Sequence, residues 1–317
     1  MTRAADPWAL VTRLTIGLPL VGCAVAFVDA LRQGVAPLYL ELFAAFYVVG
    51  AFGTETGFHR LLAHRAFRVR SGALVLLCIA GSMTAQGTPL FWVTCHRHHH
   101  AHTDSAGDPH SPHPLHANAP TAVDGKGEAS AAVRPSWRGL LHAHVGWLLA
   151  GVPKDVRPNV NDLLRDRIVL AMSRLYPLWV LMGLALPALI AWCILGTTES
   201  AIRGLLWGGL VRIAVWQHVT WSVNSFGHAF GSRTFATKDH SVNSAWLIPL
   251  TLGGAWHNNH HAFPSSAKVG LMPGQLDIHY WLIRLLALLG FASHIRVPTA
   301  ASLQLARRKG KIIDEHA

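Results

Sequence analysis

The residues most able to do chemistry are histidines. His59 with His64, His96 with His99 and His100, and His257 with His260 and His261 form three clusters, and His228 stands apart beside Asn224. On a helix, residues three apart share a face while neighbours diverge by roughly 100°, so each H-x-x-H-H run can offer two imidazoles to one ion and the third to another. Two such runs suggest two metals. Structural zinc takes four ligands and usually mixes in cysteine, a need that nine imidazoles exceed. Neutral nitrogen donors suit iron among other transition metals, and a redox task excludes zinc, which has no accessible second oxidation state. A pair of irons could activate O2 and attack an unactivated C–H bond, which side chains alone cannot do.

The elements that must position these rings are largely apolar. Of 317 residues 51% are hydrophobic and only 14% charged, too few charges for a soluble protein of this size. Residues 10–31, 36–58, 175–195 and 202–223 each approach the roughly 20 apolar residues that cross a bilayer. Short turns at 32–35 and 196–201 pair them as two hairpins. Residues 72–92 form a fifth apolar stretch but carry Ser82, Thr84, Gln86, Thr88 and Pro89. Were that stretch a span, the first two clusters would lie on opposite faces of the membrane, which one metal centre forbids. All clusters then share a side, and Arg65, Arg68 and Arg70 after the second span make it cytoplasmic. Residues 72–92, 140–152 and 280–291 read as helices of a cap or of the membrane interface.

The expected fold is therefore all-α and integral to the membrane. Two hairpins give four transmembrane helices, and a cytosolic helical cap (59–174 and 224–299) holds the histidine-rich site. The chain reads as one domain with a basic tail at 300–317. The formal charge of +11 sits beside apolar spans, which fits contact with anionic head groups or acyl carriers and argues against nucleic acid. The four cysteines, Cys23, Cys78, Cys95 and Cys193, are scattered, so neither a disulfide framework nor an iron–sulfur motif is read. The first apolar stretch lacks a secretory cleavage signature and reads as an anchor. Residues 110–136, rich in Pro, Ala, Gly and His, read as an insertion loop.

Four motifs together resemble the membrane-bound stearoyl-CoA (acyl-CoA delta-9) desaturase family, especially its short bacterial members. They are Gly57-Phe-His-Arg-Leu-Leu-Ala-His64, His96-Arg-His-His-His100 followed by Gly107-Asp-Pro-His110, Asn224-Ser-Phe-Gly-His228, and Trp256-His-Asn-Asn-His-His-Ala-Phe-Pro264. The resemblance runs from about residue 53 to 298. It implies two iron ions, O2 as co-substrate, and a cis double bond introduced into a fatty acyl thioester or a lipid acyl chain. It places His59, His64, His100 and His261 on one iron, with a water held by Asn224, and His96, His99, His228, His257 and His260 on the other. It also implies a bent acyl tunnel shaped by Gln86, Trp92 and Thr220, closed by Tyr47, with Ala51 facing it one turn later.

Some positions depart from that pattern. Thr94 and Cys95 stand where charged residues would touch coenzyme A, Gly87 replaces a polar contact near the thioester, and Gly254-Ala255 replaces Glu-Gly before the last box. Glu55 is unexpected inside an apolar helix and is read as facing the cap or a ligand histidine. With no electron-transfer motif in the chain, a separate ferredoxin-like or cytochrome-type donor with its reductase is expected. The rival readings are a desaturase-like acetylenase on a carrier-bound chain, forming a terminal alkene or alkyne, a related hydroxylase, and, from another class, a metal transporter. A transporter would place its ligands at mid-membrane with carboxylates among them. The expected location is the bacterial cytoplasmic membrane, with the active site and both termini on the cytoplasmic side.

Overall fold

A computed structural model of the chain describes residues 7–113, 135–151 and 160–314. Most of the expected insertion, including His116 and the segment from Asp124 to Glu128, lies outside the described residues. The helices, in chain order, begin with α1 (Pro7–Gln33), α2 (Pro37–Ala63), α3 (Ser71–Ser82) and α4 (Pro89–His102). Then follow α5 (137–150), α6 (Arg167–Arg174), α7 (Tyr176–Leu195) and α8 (198–225). Three more, α9 (His257–Ala262), α10 (Ile278–Leu288) and α11 (Ala300–Asp314), complete the set used below. A two-residue antiparallel pairing joins Arg68–Val69 to Ala292–Ser293.

The chain forms two compact units. The first comprises Met1–Phe58, Ser71–Val93 and Val160–His218, and the second His59–Arg70, Thr94–Asn159 and Val219–Ala317. Residues 71–93 and 160–174, expected in the cap, thus cluster with the apolar helices. For 71–93 the reason is a close backbone contact: a Cβ on Gly53 would stand 1.9 Å from the amide nitrogen of Gly81, so α2 and α3 meet where neither has a side chain.

In the first unit α1, α2 and α7 are long and apolar enough to cross a membrane. Leu18, Val21, Phe27, Leu181 and Ile194 are exposed on α1 and α7, as side chains facing lipid would be. These helices mark a membrane protein. The fourth expected span is helical throughout 198–225, but Arg203, Arg212, Gln217 and His218 take it out of the strongly apolar class. Two of these side chains turn into the unit. The buried Arg212 guanidinium donates to the carbonyls of Gly208, Met83 and Gly183 at 3.1, 2.7 and 2.8 Å, and Gln217 Nε2 donates to Ala85 O at 3.0 Å. Hydropathy therefore under-reads a helix whose polar groups are satisfied inside the protein.

The second unit is polar inside. Its framework is the buried pair Arg60–Asp277, at 2.9 Å. Asp277 also caps α10 through Tyr280 N and accepts from Val269 N, while Arg60 donates to Ala267 O. Arg60 follows His59 directly, so this knot fixes the helix that carries the first histidine pair.

Candidate metal centre

His59 and His64 are five residues apart, a spacing that would splay two side chains on an α-helix. The stretch Phe52–Ala63 is instead wound as a π-helix, and His64 N donates to His59 O at 3.1 Å. Closing each turn one residue later brings residues five apart onto one face. The two ring centroids stand 4.9 Å apart. Arg97 donates to the carbonyls of Ala63 and Leu62 at 2.9 and 2.7 Å, tying the start of the second box to the end of α2.

The last box sits on the short helix α9. Its two asparagines hold the helix, leaving the histidines to converge. Asn258 Oδ1 accepts from Thr234 N and Phe235 N, and Asn259 Nδ2 donates to Val269 O and Gln275 Oε1. The glycine before His228 has a reason as well: a Cβ on Gly227 would stand 3.3 Å from the His257 ring.

All nine histidines meet, in two sets. The ligand-capable nitrogens of His59, His64, His96, His100 and His260 lie within 4.8 Å of one another, and so do those of His99, His228, His257 and His261. The parallel rings of His100 and His261, 4.5 Å between centroids, join the sets. This division corrects the expected one. His96 and His260 fall in the first set and His261 in the second, because partners lie four residues apart rather than three. Ring centroids are 4.6 Å apart for His96 and His100 but 6.3 Å for His96 and His99. They are 4.3 Å apart for His257 and His261 but 5.9 Å for His257 and His260. At about 100° per residue, four steps leave a pair roughly 40° apart and three steps roughly 60°.

The donor set fits a metal. Nε2 atoms pair at 3.0 Å for His59 and His260, 2.8 Å for His64 and His96, 2.9 Å for His100 and His260, and 2.9 and 3.0 Å from His257 to His228 and His261. With metal–nitrogen bonds of about 2.1 Å, adjacent ligands of a five- or six-coordinate ion are separated by about 3.0 Å. In the second set the tautomers can be assigned. His99, His228 and His261 each give Nδ1–H to a carboxylate, that of Asp108, Asp104 and Asp239, at 3.0, 2.8 and 3.0 Å. In the neutral rings Nε2 then carries the lone pair. His99 Nε2 is buried with no hydrogen-bond partner. Converging lone pairs repel unless a cation lies among them.

Burial drives the pKa values of His96, His100, His257 and His260 well down, with mutual repulsion among the rings adding to it, so these rings are neutral donors at pH 7. Burial also lowers His261, to about 4, against the opposing effect of the hydrogen bond it gives to Asp239. For His228, burial pulls downward but the Asp104 carboxylate wins and raises it. Burial would raise the carboxyls of Asp104, Asp108 and Asp239, yet the histidines they face hold all three well below the usual carboxylate range. A cleft of about 350 Å³ lined by His64, Arg97, His100, Thr103, Asp239, His261 and Pro264 opens on both sets.

Residues 37–289 match the family described as fatty acid desaturase. The chain belongs to that family, whose members are oxidoreductases acting on acyl chains. It is 37% identical, over 90% of its length and 86% of the relative's, to the hex-5-enoyl-[acyl-carrier protein] acetylenase of Moorena producens (strain JHB). It is 32% identical to the sn-1 stearoyl-lipid 9-desaturase of Anabaena variabilis, covering 80% of this chain and 81% of the relative. With Delta-9 acyl-lipid desaturase 1 of Arabidopsis thaliana the identity is 34%, covering 80% and 73%.

The remaining site residues have these places. Asn224 is half-buried on α8, one turn before His228. Tyr47 is buried, edge-on to Trp216 at 5.1 Å, and Ala51 is buried one turn later. Gln86, Trp92, Thr220 and Glu55 are half-buried, with Trp92 6.1 Å from Phe58. The rings of His98 and His102, near the second box, lie 4.3 Å apart in a tilted contact, and His98 bonds Gly107 O. His142 and His279 bond the carbonyls of Pro109 and Thr251, and His144 bonds Ser225 Oγ. Sequence reasoning missed Asp104 and Asp239. Asp104 sits four residues past the second box and Asp239 sits in an unremarkable Lys-Asp-His, so only a search for carboxylates near histidines would have raised them. Of Gly-Asp-Pro-His, it is Asp108 that bonds His99, while His110 stacks on the same ring at 4.3 Å.

Proposed function

We propose that the chain is an O2-dependent di-iron fatty acyl desaturase that introduces a cis double bond, at the delta-9 position, into a long saturated acyl chain. The observation that carries this reading is the convergence of nine imidazoles in two joined sets. His59, His64, His96, His100 and His260 would hold one iron and His99, His228, His257 and His261 the other. Asn224 would hold a water on the four-imidazole side. Iron held there would supply the O2 chemistry needed to attack an unactivated C–H bond. The protein supplies the rest. Buried neutral rings keep their lone pairs available, Asp104, Asp108 and Asp239 orient three of them, and the apolar helices admit hydrocarbon. Tyr47 would close the acyl tunnel with Ala51 beside it, and Gln86, Trp92 and Thr220 would shape its bend.

In this reading the chain is one membrane desaturase domain with four transmembrane helices, α8 being the fourth, and a cytosolic cap. It lies in a bacterial cytoplasmic membrane with the site and both termini inside, and takes two electrons from a ferredoxin-like or cytochrome-type donor with its reductase. Expression in a desaturase-deficient host should yield a new cis-9 monoene, and Tyr47→Ala should shift the products to longer chains. A second reading, acetylenation or terminal desaturation of a carrier-bound chain, is favoured by the similarity to the Moorena acetylenase and by Thr94, Cys95 and Gly87 at the coenzyme A contacts. Unchanged host lipids from iron-loaded chain with a competent donor, together with turnover of an acyl-carrier-protein substrate, would replace the first reading by the second.

A further inference from the structure

The second imidazole set is braced from outside by three carboxylates, and each is itself built in. Asp104 accepts Ser111 Oγ at 2.6 Å and His240 N at 2.8 Å besides His228 Nδ1 at 2.8 Å. Asp239 accepts Thr237 Oγ1 at 2.8 Å, Ser241 N at 2.9 Å and Ser241 Oγ at 2.5 Å through one oxygen, leaving the other for His261 at 3.0 Å. Asp108 meets His99 Nδ1 with both oxygens, at 3.0 and 3.1 Å, and is fixed by the amides of Asp104 and His110. Asp104 and Asp108 come from the loop that ends α4, Asp239 from the loop after α8, and the His240 amide on Asp104 links the two loops. Buried carboxylates cost free energy unless fully hydrogen-bonded. Here every added donor turns a carboxylate toward an imidazole whose other nitrogen points inward.

Resting on the reading of two metal positions, we propose that Asp104, Asp108 and Asp239 are positioning residues specific to the second one, setting the tautomer and donor strength of His228, His99 and His261. A carboxylate on Nδ1–H fixes the ring's rotation and raises the basicity of Nε2, and loss of such a partner costs roughly 10–100-fold in metal affinity. The three negative charges also favour a more highly charged ion at that position.

The probe is Co2+, titrated into the metal-free full-length chain in detergent and followed by its visible absorption. The native chain should take up two equivalents. In Asp239→Asn the first set should keep its affinity while the second equivalent weakens roughly 10–100-fold, and Asp104→Asn should do the same through His228. Asp239→Glu should recover much of the loss. A His64→Ala, His96→Ala chain, which retains only the second set, should show the full effect of Asp239→Asn, and a His257→Ala, His261→Ala chain should show none. Equal weakening of both equivalents is what a merely structural role gives, and it would overturn the inference, as would unchanged affinity at both. A native chain that takes up no Co2+ would instead sink the metal reading itself.

Discussion

The two compact units are held together by opposite means. In the first, helices approach where side chains are missing: Gly53 lies against Gly81, and a Cβ on Gly208 would stand 2.5 Å from Pro187 Cβ. In the second, buried polar side chains bond one another in a continuous network running from Asp277 through Arg60 to the helix of His59, and from Asp104 and Asp239 to His228 and His261. The difference follows from the surroundings. Among lipid-facing helices apolar burial gives little drive to associate, so close contact must supply it. In the second imidazole set, carboxylates hold His99, His228 and His261 from outside, and each carboxylate has hydrogen-bond partners of its own.

The sharpest way to break the second unit's logic is at its shared ring. His260 Nε2 lies 3.0 Å from His59 and 2.9 Å from His100, so His260→Ala removes the common neighbour of the first set. Double-bond formation should fall below detection and one of two metal equivalents should be lost, measured by product analysis and metal content. Retained turnover would show that the first set is not a metal position. Next in size is Asp277→Asn. It leaves the Arg60 guanidinium buried beside a neutral amide, and breaking a buried pair in this way costs about 3–5 kcal/mol. The unfolding midpoint in denaturant should drop accordingly, and an unchanged midpoint would remove Arg60–Asp277 from its role as the knot.

What the sequence disclosed follows the same divide. The nine histidines were legible among 21 because eight of them fall in three clusters spaced within one or two helical turns and His228 follows Asn224 in a recognisable motif. Their allotment to two sets was not, because His99 and His100 lie at comparable angles, roughly 60° and 40°, on either side of His96, and because His59 and His64 share a face only through the π-winding of Phe52–Ala63. Asp104 and Asp239 could not be singled out, since each acts on a histidine more than twenty residues away. Four stretches read as spans from apolar length; three of them are helices long and apolar enough to cross a membrane, while 198–225 carries Arg212 and Gln217, whose partners are backbone carbonyls that hydropathy cannot see. The placement of 71–93 with the apolar helices depended on glycines that look like loose ends until two of them meet.

The first unit can be tested with smaller changes. Gly53→Ala puts a methyl group where backbone already lies, and overpacking of this kind costs about 1–3 kcal/mol. The thermal unfolding midpoint in detergent should fall accordingly. Native-like melting would mean that α2 and α3 are free to separate.

The smallest effect sharpens the contrast between ion pairs. Asp29 and Arg203 meet at 3.1 Å in the first unit, with side chains 14% and 12% exposed, against 2% and 1% for Asp277 and Arg60. Arg203 has other support, since its guanidinium lies 4.7 Å over the Tyr39 ring and donates to Gly34 O. Removing the carboxylate therefore leaves the cation with partners, unlike Arg60 in Asp277→Asn. Asp29→Asn should cost no more than about 1 kcal/mol, the range of a partly solvated pair. A loss as large as that of Asp277→Asn would mean that the Asp29–Arg203 pair is a main anchor of α1 on α8.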